Sequence, residues 1–473
     1  MKLKSKRFGT YPFPDDYDVV DIIDLNKVEL RANNAKYYHI ESHVSKDGTK
    51  FRLYSRYGRV GHKGTEEERI PEQNRDALDA AFAQLLKEKT SKRKGYKVVD
   101  VAQSKMGSSV AQTMVLSDDV KKDKVKSDDK KNGAAIKLDR TVAKLVERLY
   151  TEAGQAVQSQ LSGTLNTTAE NPLGTLTLSQ IDAGRDVLQR LQKLLVKDPS
   201  YKDSIKTKVI DLSNEFYTTI PQTIPMRPQK RAGKAAMDRW LQDLALNNAE
   251  KLDEKEDLLE LLSDVEGMVG GFASDDITTK YREIGCQYGY LEPGDPKRKK
   301  VEDYMKTSRS RHHRWGAKIL NVWTVSIKGQ RDKHVPTMQK VGNVQPLFHG
   351  SRAANILGIC KRGLLLRPPG VYITGSMFGN GLYFADQSSK SEQYSMARFG
   401  GSGSRGSSCF MFVADVALGR IKKYRDAQMG LQKAPRGYDS VQGEKGPSLL
   451  HNEFIIYDHT QHLLQFLVEF QPR

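Results

Sequence analysis

The sequence predicts a multidomain α+β protein: a small β-rich N-terminal unit, an all-α bundle in the middle and a mixed α+β C-terminal domain. Three observations carry this. The 473 residues amount to about three domains at the usual length per domain. Apolar residues alternate around Phe51–Tyr57, then fall into a helical period between Leu138 and Val269. From about Ile277 the pattern changes again, to short apolar runs separated by loops.

The β-rich unit takes residues 1–101. From about Tyr37 to Tyr57 it reads as strands, with Phe51, Leu53, Ser55 and Tyr57 set against Arg52, Tyr54 and Arg56. Lys46-Asp47-Gly48-Thr49 supplies the turn. After Gly58, Gly61 and Gly64, an amphipathic helix carries Leu78, Ala81, Phe82 and Leu85 on one face, and the unit ends near Val99. Residues 102–135 read as a charged linker. The run from Lys121 to Lys131 mixes charge too densely to bury the apolar area that would offset ordering entropy. Its lysines could serve as a nuclear localisation signal, as loose phosphate contacts or as a solvated spacer.

Residues 136–270 read as helices. Leu138, Val142, Leu145, Val146 and Leu149 keep the helix period, and Thr177 with Gln180 forms a capping box ahead of Ile181, Leu188, Leu191 and Leu195. A last helix holds Leu258, Leu261, Leu262, Val265 and Val269, so a bundle is expected. In the final domain, 271–473, Cys409 to Leu418 suits a central strand, and Leu464, Phe466, Val468 and Phe470 alternate near the C-terminus.

A net charge of +18 raises the local concentration of polyanions, with nucleic acid the leading partner. No run of about 18 apolar residues exists, so no membrane span is expected. The basic N-terminus lacks the apolar stretch of a secretory signal. Cys286, Cys360 and Cys409 are scattered, and His312-His313 reads as a solvated loop; this excludes a zinc finger or a disulfide framework and points to a reducing compartment with no metal.

The segment Gly379-Asn380-Gly381-Leu382-Tyr383-Phe384-Ala385-Asp386, followed by Lys390-Ser391 and Tyr394, holds the strongest chemical signal. Its glycines permit positive φ and let a ligand approach the backbone. Ser391 and Tyr394 project from neighbouring turns of one short helix, where they could hold a flat polar ring. His349-Gly350-Ser351 lies upstream and Asn452-Glu453 downstream, each beside an expected strand. Glu453 heads so apolar a strand that it is costly to bury unless used or paired. Taken singly, His349 reads more readily as a core or hydrogen-bonding His than as a functional one, and Tyr383 reads as a core aromatic.

In this order the motifs resemble the catalytic domain of the poly(ADP-ribose) polymerases, with their His-Tyr-Glu triad. Pro172-Leu173-Gly174-x-Leu176 and Leu212-Ser213-Asn214-x-Phe216-Tyr217-x-x-Ile220-Pro221 are similar to the family's helical regulatory domain. Ser55-Arg56-Tyr57-Gly58-Arg59-Val60-Gly61 is similar to its WGR domain, with Tyr57 in place of the signature Trp. The resemblance implies an ADP-ribosyltransferase domain on central antiparallel sheets, with NAD+ as substrate. It implies that Gly350 and Ser391 bind the nicotinamide amide, that Tyr394 stacks on the ring, and that Tyr383 lines its other side. His349 would bond ribose hydroxyls, Ser351 and Asn355 would lie towards adenosine, and Lys390 would meet the pyrophosphate or the acceptor. Glu453 would bond the ribose 2′-hydroxyl and stabilise the oxocarbenium-like charge of glycosidic cleavage.

The glutamate at 453 implies capacity for polymer. Met377 matches an acceptor-site Met, whereas Ser376, in the region of the short donor loop Arg367–Tyr372, and His451 stand where relatives carry Tyr. The WGR likeness implies contacts to DNA strand breaks through Arg56, Tyr57, Arg59 and Lys63, by backbone and end shape. The helical likeness implies regulation, with Glu260 and Asp264 as candidates. Expected acceptors are the protein itself and chromatin or repair proteins, in the nucleus, or in the cytoplasm of a bacterial homologue. A mono-ADP-ribosyltransferase and a non-catalytic DNA-binding scaffold remain alternatives.

Overall fold

The computed structural model describes residues 17–62, 64–72, 74–100, 138–161, 176–197, 201, 203–272, 274–310, 316–366, 377–396, 408–428, 430–446 and 449–472. They fall into two compact units, Met1–Ile136 with Val157–Gly267, and Lys137–Ala156 with Met268–Arg473. The linker expected at 102–135 and the donor loop lie outside the described residues.

The first unit begins with an antiparallel sheet ordered β4-β3-β2-β1-β5. Its strands are β1 (Tyr17–Glu29), β2 (Asn34–Ser45), β3 (Phe51–Arg59), β4 (Thr65–Glu72) and β5 (Lys97–Val99). Two of them carry no sequence alternation. In β1, Asp21, Asp24 and Asn26 are buried and a register shift between Val19 and Asp21 breaks the period. The charged β4 is an edge strand. Helix α1 (Arg75–Thr90) is capped by the Asn74 side chain and buries Leu78, Phe82 and Leu85 against Leu25, Tyr38, Ile40 and Leu53. The predicted amphipathic face is the one that packs.

Helix α2 (Arg140–Leu161) starts in the second unit and ends in the first. In the first unit follow α3 (Leu178–Lys197), α4 (Asp203–Thr219), α5 (Gly233–Leu244) and α6 (Ala249–Glu266). Gly184 lets α3 press against α4 and α6: a Cβ there would come within 2.8 Å of Ile220. The capping box forms by half. The Thr177 hydroxyl accepts from the Gln180 N–H at 3.4 Å. The Gln180 side chain, instead of reaching back, bonds the Thr219 carbonyl at 2.7 Å and the Asp100 N–H at 3.3 Å. Tertiary partners win because they tie α3 to the end of β5 and to α4.

Strand β1 also closes the end of α4. The last carbonyls of a helix have no partner within it. Those of Tyr217 and Thr218 accept from the Asn26 side chain at 2.9 and 3.1 Å. The Val28 N–H bonds the Thr218 hydroxyl, and the Leu30 N–H bonds the Asn214 side chain.

The second unit has two sheets, ordered β6-β7-β14-β10-β8 and β11-β12-β13-β9, antiparallel throughout save β11 with β12. The first comprises β6 (Cys286–Tyr290), β7 (Ala317–Ile327), β8 (Val344–Gly350), β10 (Cys409–Ala417) and β14 (His462–Pro472). The second comprises β9 (Leu382–Phe384), β11 (Ile421–Tyr424), β12 (Ser440–Gly443) and β13 (Glu453–Ile456). A bridge joins them, Phe348 exchanging hydrogen bonds of 2.8 and 2.9 Å with Ala385. Helices α7 (Val269–Phe272), α8 (Ile277–Ile284), α9 (Pro296–Thr307), α10 (Gln330–Val341), α11 (Ala353–Arg362) and α12 (Ser388–Met396) complete the unit. The core between α9 and the first sheet holds Val301, Phe348, Met411, Val413 and Val468. β14 departs from simple alternation. Leu467 and Glu469 are buried together with Val468 and Phe470, because both faces of this central strand are covered.

Candidate active site and basic groove

Four elements converge on a cavity of about 230 Å³. The end of β8 brings His349 and Gly350, β9 brings Tyr383, α12 brings Lys390, Ser391 and Tyr394, and the head of β13 brings Glu453. The pairing of β9 with β13, Tyr383 opposite Ile455 and Phe384 opposite Phe454, leaves Glu453 just beyond the last pair.

Each wall is fixed by specific bonds. The Tyr383 hydroxyl donates to the Gly379 carbonyl at 2.8 Å and accepts from the Phe378 N–H at 3.0 Å, so its ring forms a rigid wall. The Tyr383 carbonyl lies 3.0 Å from His349 Nδ1. That bond places the proton on Nδ1 and leaves Nε2 as an acceptor. Burial pushes the His349 pKa down, against the opposing pull of the carbonyl, which favours the neutral ring. Glu453 is 9% exposed and pairs with Lys390 Nζ at 2.7 Å. Lys390 donates in addition to the Asn452 carbonyl at 3.2 Å. The Asn452 side chain is held by Asp386 at 3.0 Å and by the Lys445 N–H at 2.9 Å.

The glycines act differently from the sequence expectation. Gly379, at φ +73°, would place a Cβ 1.9 Å from the Leu431 carbonyl, and Gly381 one 2.2 Å from Ile455. What approaches these backbones is the protein itself. Gly350 likewise lies against the Ser391 carbonyl, where a Cβ would stand at 1.9 Å. Ser391 is buried and Tyr394 is 57% exposed. Ser351 and Asn355 sit past Gly350, at the start of α11 and outside the cavity lining. The Asn355 Oδ1 is buried with no hydrogen-bond partner among the described residues.

A second polar depression, about 610 Å³, lies in the first unit. Tyr57 stacks on Tyr38 with centroids 5.1 Å apart and planes 4° from parallel, and Lys89 Nζ lies 4.4 Å from the Tyr38 ring centre. Lys27, Lys36, Arg93 and Lys94 add positive charge, with Glu67 the one carboxylate in the lining. Of the residues expected at a DNA contact, Tyr57 and Arg59 line this groove. The Arg59 guanidinium is engaged by the Asn33 carbonyl at 2.9 Å and the Ile224 carbonyl at 3.1 Å. Arg56 is buried, 5.5 Å from the Tyr37 ring centre, and Lys63 lies outside the described residues. Lys27, Lys36, Lys89, Arg93 and Lys94 were not singled out from sequence, since β1, β2, α1 and the turn after α1 bring them together.

Comparison with known families assigns the WGR domain to residues 23–103, the poly(ADP-ribose) polymerase regulatory domain to 136–269 and the poly(ADP-ribose) polymerase catalytic domain to 297–448. The chain belongs to the poly(ADP-ribose) polymerase family. It is 29% identical over 339 residues to poly(ADP-ribose) polymerase 1 of Arabidopsis thaliana, covering 64% of this chain and 32% of that one. It is 25% identical over 498 residues to human poly(ADP-ribose) polymerase 2, covering 96% and 80%. To poly(ADP-ribose) polymerase 2-A of rice it is 24% identical over 485 residues, covering 94% and 69%. The matched region thus spans about a third of the polymerase 1 relative. The poly(ADP-ribose) polymerase catalytic domain is an NAD+ ADP-ribosyltransferase domain and takes NAD+ as substrate. It encloses the cavity except for Glu453, which lies just past the matched range, while the WGR match encloses the basic groove.

Proposed function

We propose that this protein transfers ADP-ribose from NAD+ to itself and to repair or chromatin proteins, extends polymer, and is activated by DNA strand breaks in the nucleus. The observation that carries the reading is the Glu453–Lys390 pair at 2.7 Å, set in one small cavity with His349 and Tyr383. The cavity suits one flat ring. A nicotinamide group would sit between Tyr383 and the exposed ring of Tyr394, its amide bonded by Gly350 and Ser391. The neutral His349 would accept from a ribose hydroxyl, with Ser351 and Asn355 continuing towards adenosine.

When the C–N glycosidic bond breaks, its electron pair leaves with nicotinamide and positive charge develops on the ribose. A carboxylate bonded to the 2′-hydroxyl opposes that charge most strongly in the transition state. The acceptor nucleophile then bonds the anomeric carbon and loses its proton. Lys390 acts here by holding Glu453 in place. The groove around Tyr57 supplies the proposed DNA contact, with stacking at an end and lysines for phosphate. Regulation is assigned to the helices within 136–270, with Glu260 and the buried Asp264 on α6 as candidate residues.

Incubation with labelled NAD+, with and without nicked DNA, tests the reading. A ladder of labelled species that intensifies with nicked DNA is expected. A single band would make the protein a mono-transferase, and absence of label would leave only a binding role.

A further inference from the structure

A second cavity in the C-terminal unit, about 790 Å³, shares no lining residue with the nicotinamide cavity. Its floor is apolar and mostly aliphatic, formed by Val301, Val325, Ile327, Val413, Leu463 and Leu464, with Phe466 beside them. Tyr304 also lines it, but one face of that ring is stacked on Phe348 at 4.5 Å and its hydroxyl donates to the Pro346 carbonyl. The surface therefore suits an alkyl body better than a stacked base.

The rim carries one sign of charge. Lys297 and Lys300 stand one turn apart at the start of α9, and Arg331 lies in the first turn of α10; all three are exposed. No Asp or Glu is among the described lining residues. Gly329, just before α10, offers no side-chain cap to the first N–H groups, and Asp332 is the acidic residue of that first turn. Gln330 in that turn lines the cavity and is 7% exposed, with its amide nitrogen turned against Gly363, where a Cβ would stand 2.4 Å from it. Asp415, nearby on β10, is bonded to Gln465 and interacts with Arg331, while burial pushes its carboxyl pKa up.

An apolar floor and three exposed cations occur together here. We propose that this cavity binds a small amphipathic anion, with an alkyl or acyl chain on the apolar floor and a phosphate or carboxylate head at Lys297, Lys300 and Arg331. The proposal stands apart from the transferase reading, since the two cavities have no residue in common.

Calorimetric titration of the full chain with decyl phosphate and with decanoate, each below its micelle concentration, tests it. One of the two should bind with 1:1 stoichiometry in the presence of saturating nicotinamide, and the tighter one names the head group. The double substitution Lys297→Glu with Lys300→Glu should weaken binding at least tenfold, and Arg331→Gln should weaken it several-fold. An acidic residue at 297, in the first turn of the helix, favours its dipole, and Lys300 is exposed, so the double variant should fold, as circular dichroism would check. Absence of binding to both probes, displacement by nicotinamide, affinity unchanged in the variants, or equal affinity for inorganic phosphate would each overturn the proposal.

Discussion

Glu453 and Lys390 come from elements far apart in the chain and meet in a nearly closed space. Removing one member of such a pair leaves the other desolvated and unmatched, which costs about 3–5 kcal/mol. Lys390→Met should therefore lose stability on that order in urea unfolding and lose transfer activity with it. Lys390→Arg, which keeps the charge, should recover part of both. Glu453→Gln keeps the shape and removes the negative charge. It should abolish chain elongation and slow nicotinamide release by roughly 10²–10³-fold, as read from gel ladders and released nicotinamide. Undiminished polymer length in that variant would refute the role given to Glu453. His349, Tyr383 and Glu453 were singled out by the order of their motifs, since each alone, beside a short apolar strand, reads as well or better as a packed side chain. The pairing of Lys390 with Glu453 was not legible, because a lysine in a polar helix looks the same whether it meets solvent or a carboxylate.

At the scale of elements, the hydrophobic period located α1, α2, α3 and α6 and a continuous apolar run located β10, whereas α4 and α5 were not placed individually and the joints between elements follow from polar side chains. Asn26 is the clearest case, since a buried side-chain amide in β1 supplies the donors that the end of α4 lacks. Asn26→Ala should cost about 1–3 kcal/mol by leaving those carbonyls buried and unpaired. Denaturant unfolding of the variant measures this, and Asn26→Asp, without an N–H to donate, should fare no better. The halved capping box at Thr177 has the same origin. A local motif proposes a bond, and a closer or better-buried partner from another element takes it.

The whole molecule carries +18, and part of that charge is gathered around Tyr38 and Tyr57. If this groove holds DNA, affinity should fall linearly in log–log form with salt, at a slope of about −0.9 per phosphate neutralised. The triple substitution Lys89→Glu, Arg93→Glu, Lys94→Glu should flatten that slope in anisotropy titrations with nicked duplex, while Tyr57→Ala should lower affinity and keep the slope. Two buried histidines, one in each unit, answer acid in opposite ways. In the first, burial opposes charge on His39, but Asp24 and Glu41 at its ring nitrogens outweigh it and raise its pKa. Its contribution is complete below the unfolded value near 6.5 and fades as pH rises through the folded one. In the second, burial, aided by His334 and His349, pushes His462 down to about 3. The unfolded chain then binds the extra proton, so stability falls as pH drops from 6.5 towards 3. At pH 4.5 the loss should be about 2–3 kcal/mol, and His462→Leu should remove that slope in urea titrations at pH 4.5 and 7.

By itself the sequence determined the three kinds of domain, the period of most elements and the order of the motifs around the cavity. These rest on local pattern: side-chain alternation, helical repeat and turn chemistry act over a few residues and can be read along the chain. Tertiary structure alone decided which lysine neutralises Glu453, why Gly379 and Gly381 must be glycine, and which cations gather beside Tyr57. Charge pairing and close approach act through space, and their strength depends on burial that no single segment of the chain encodes.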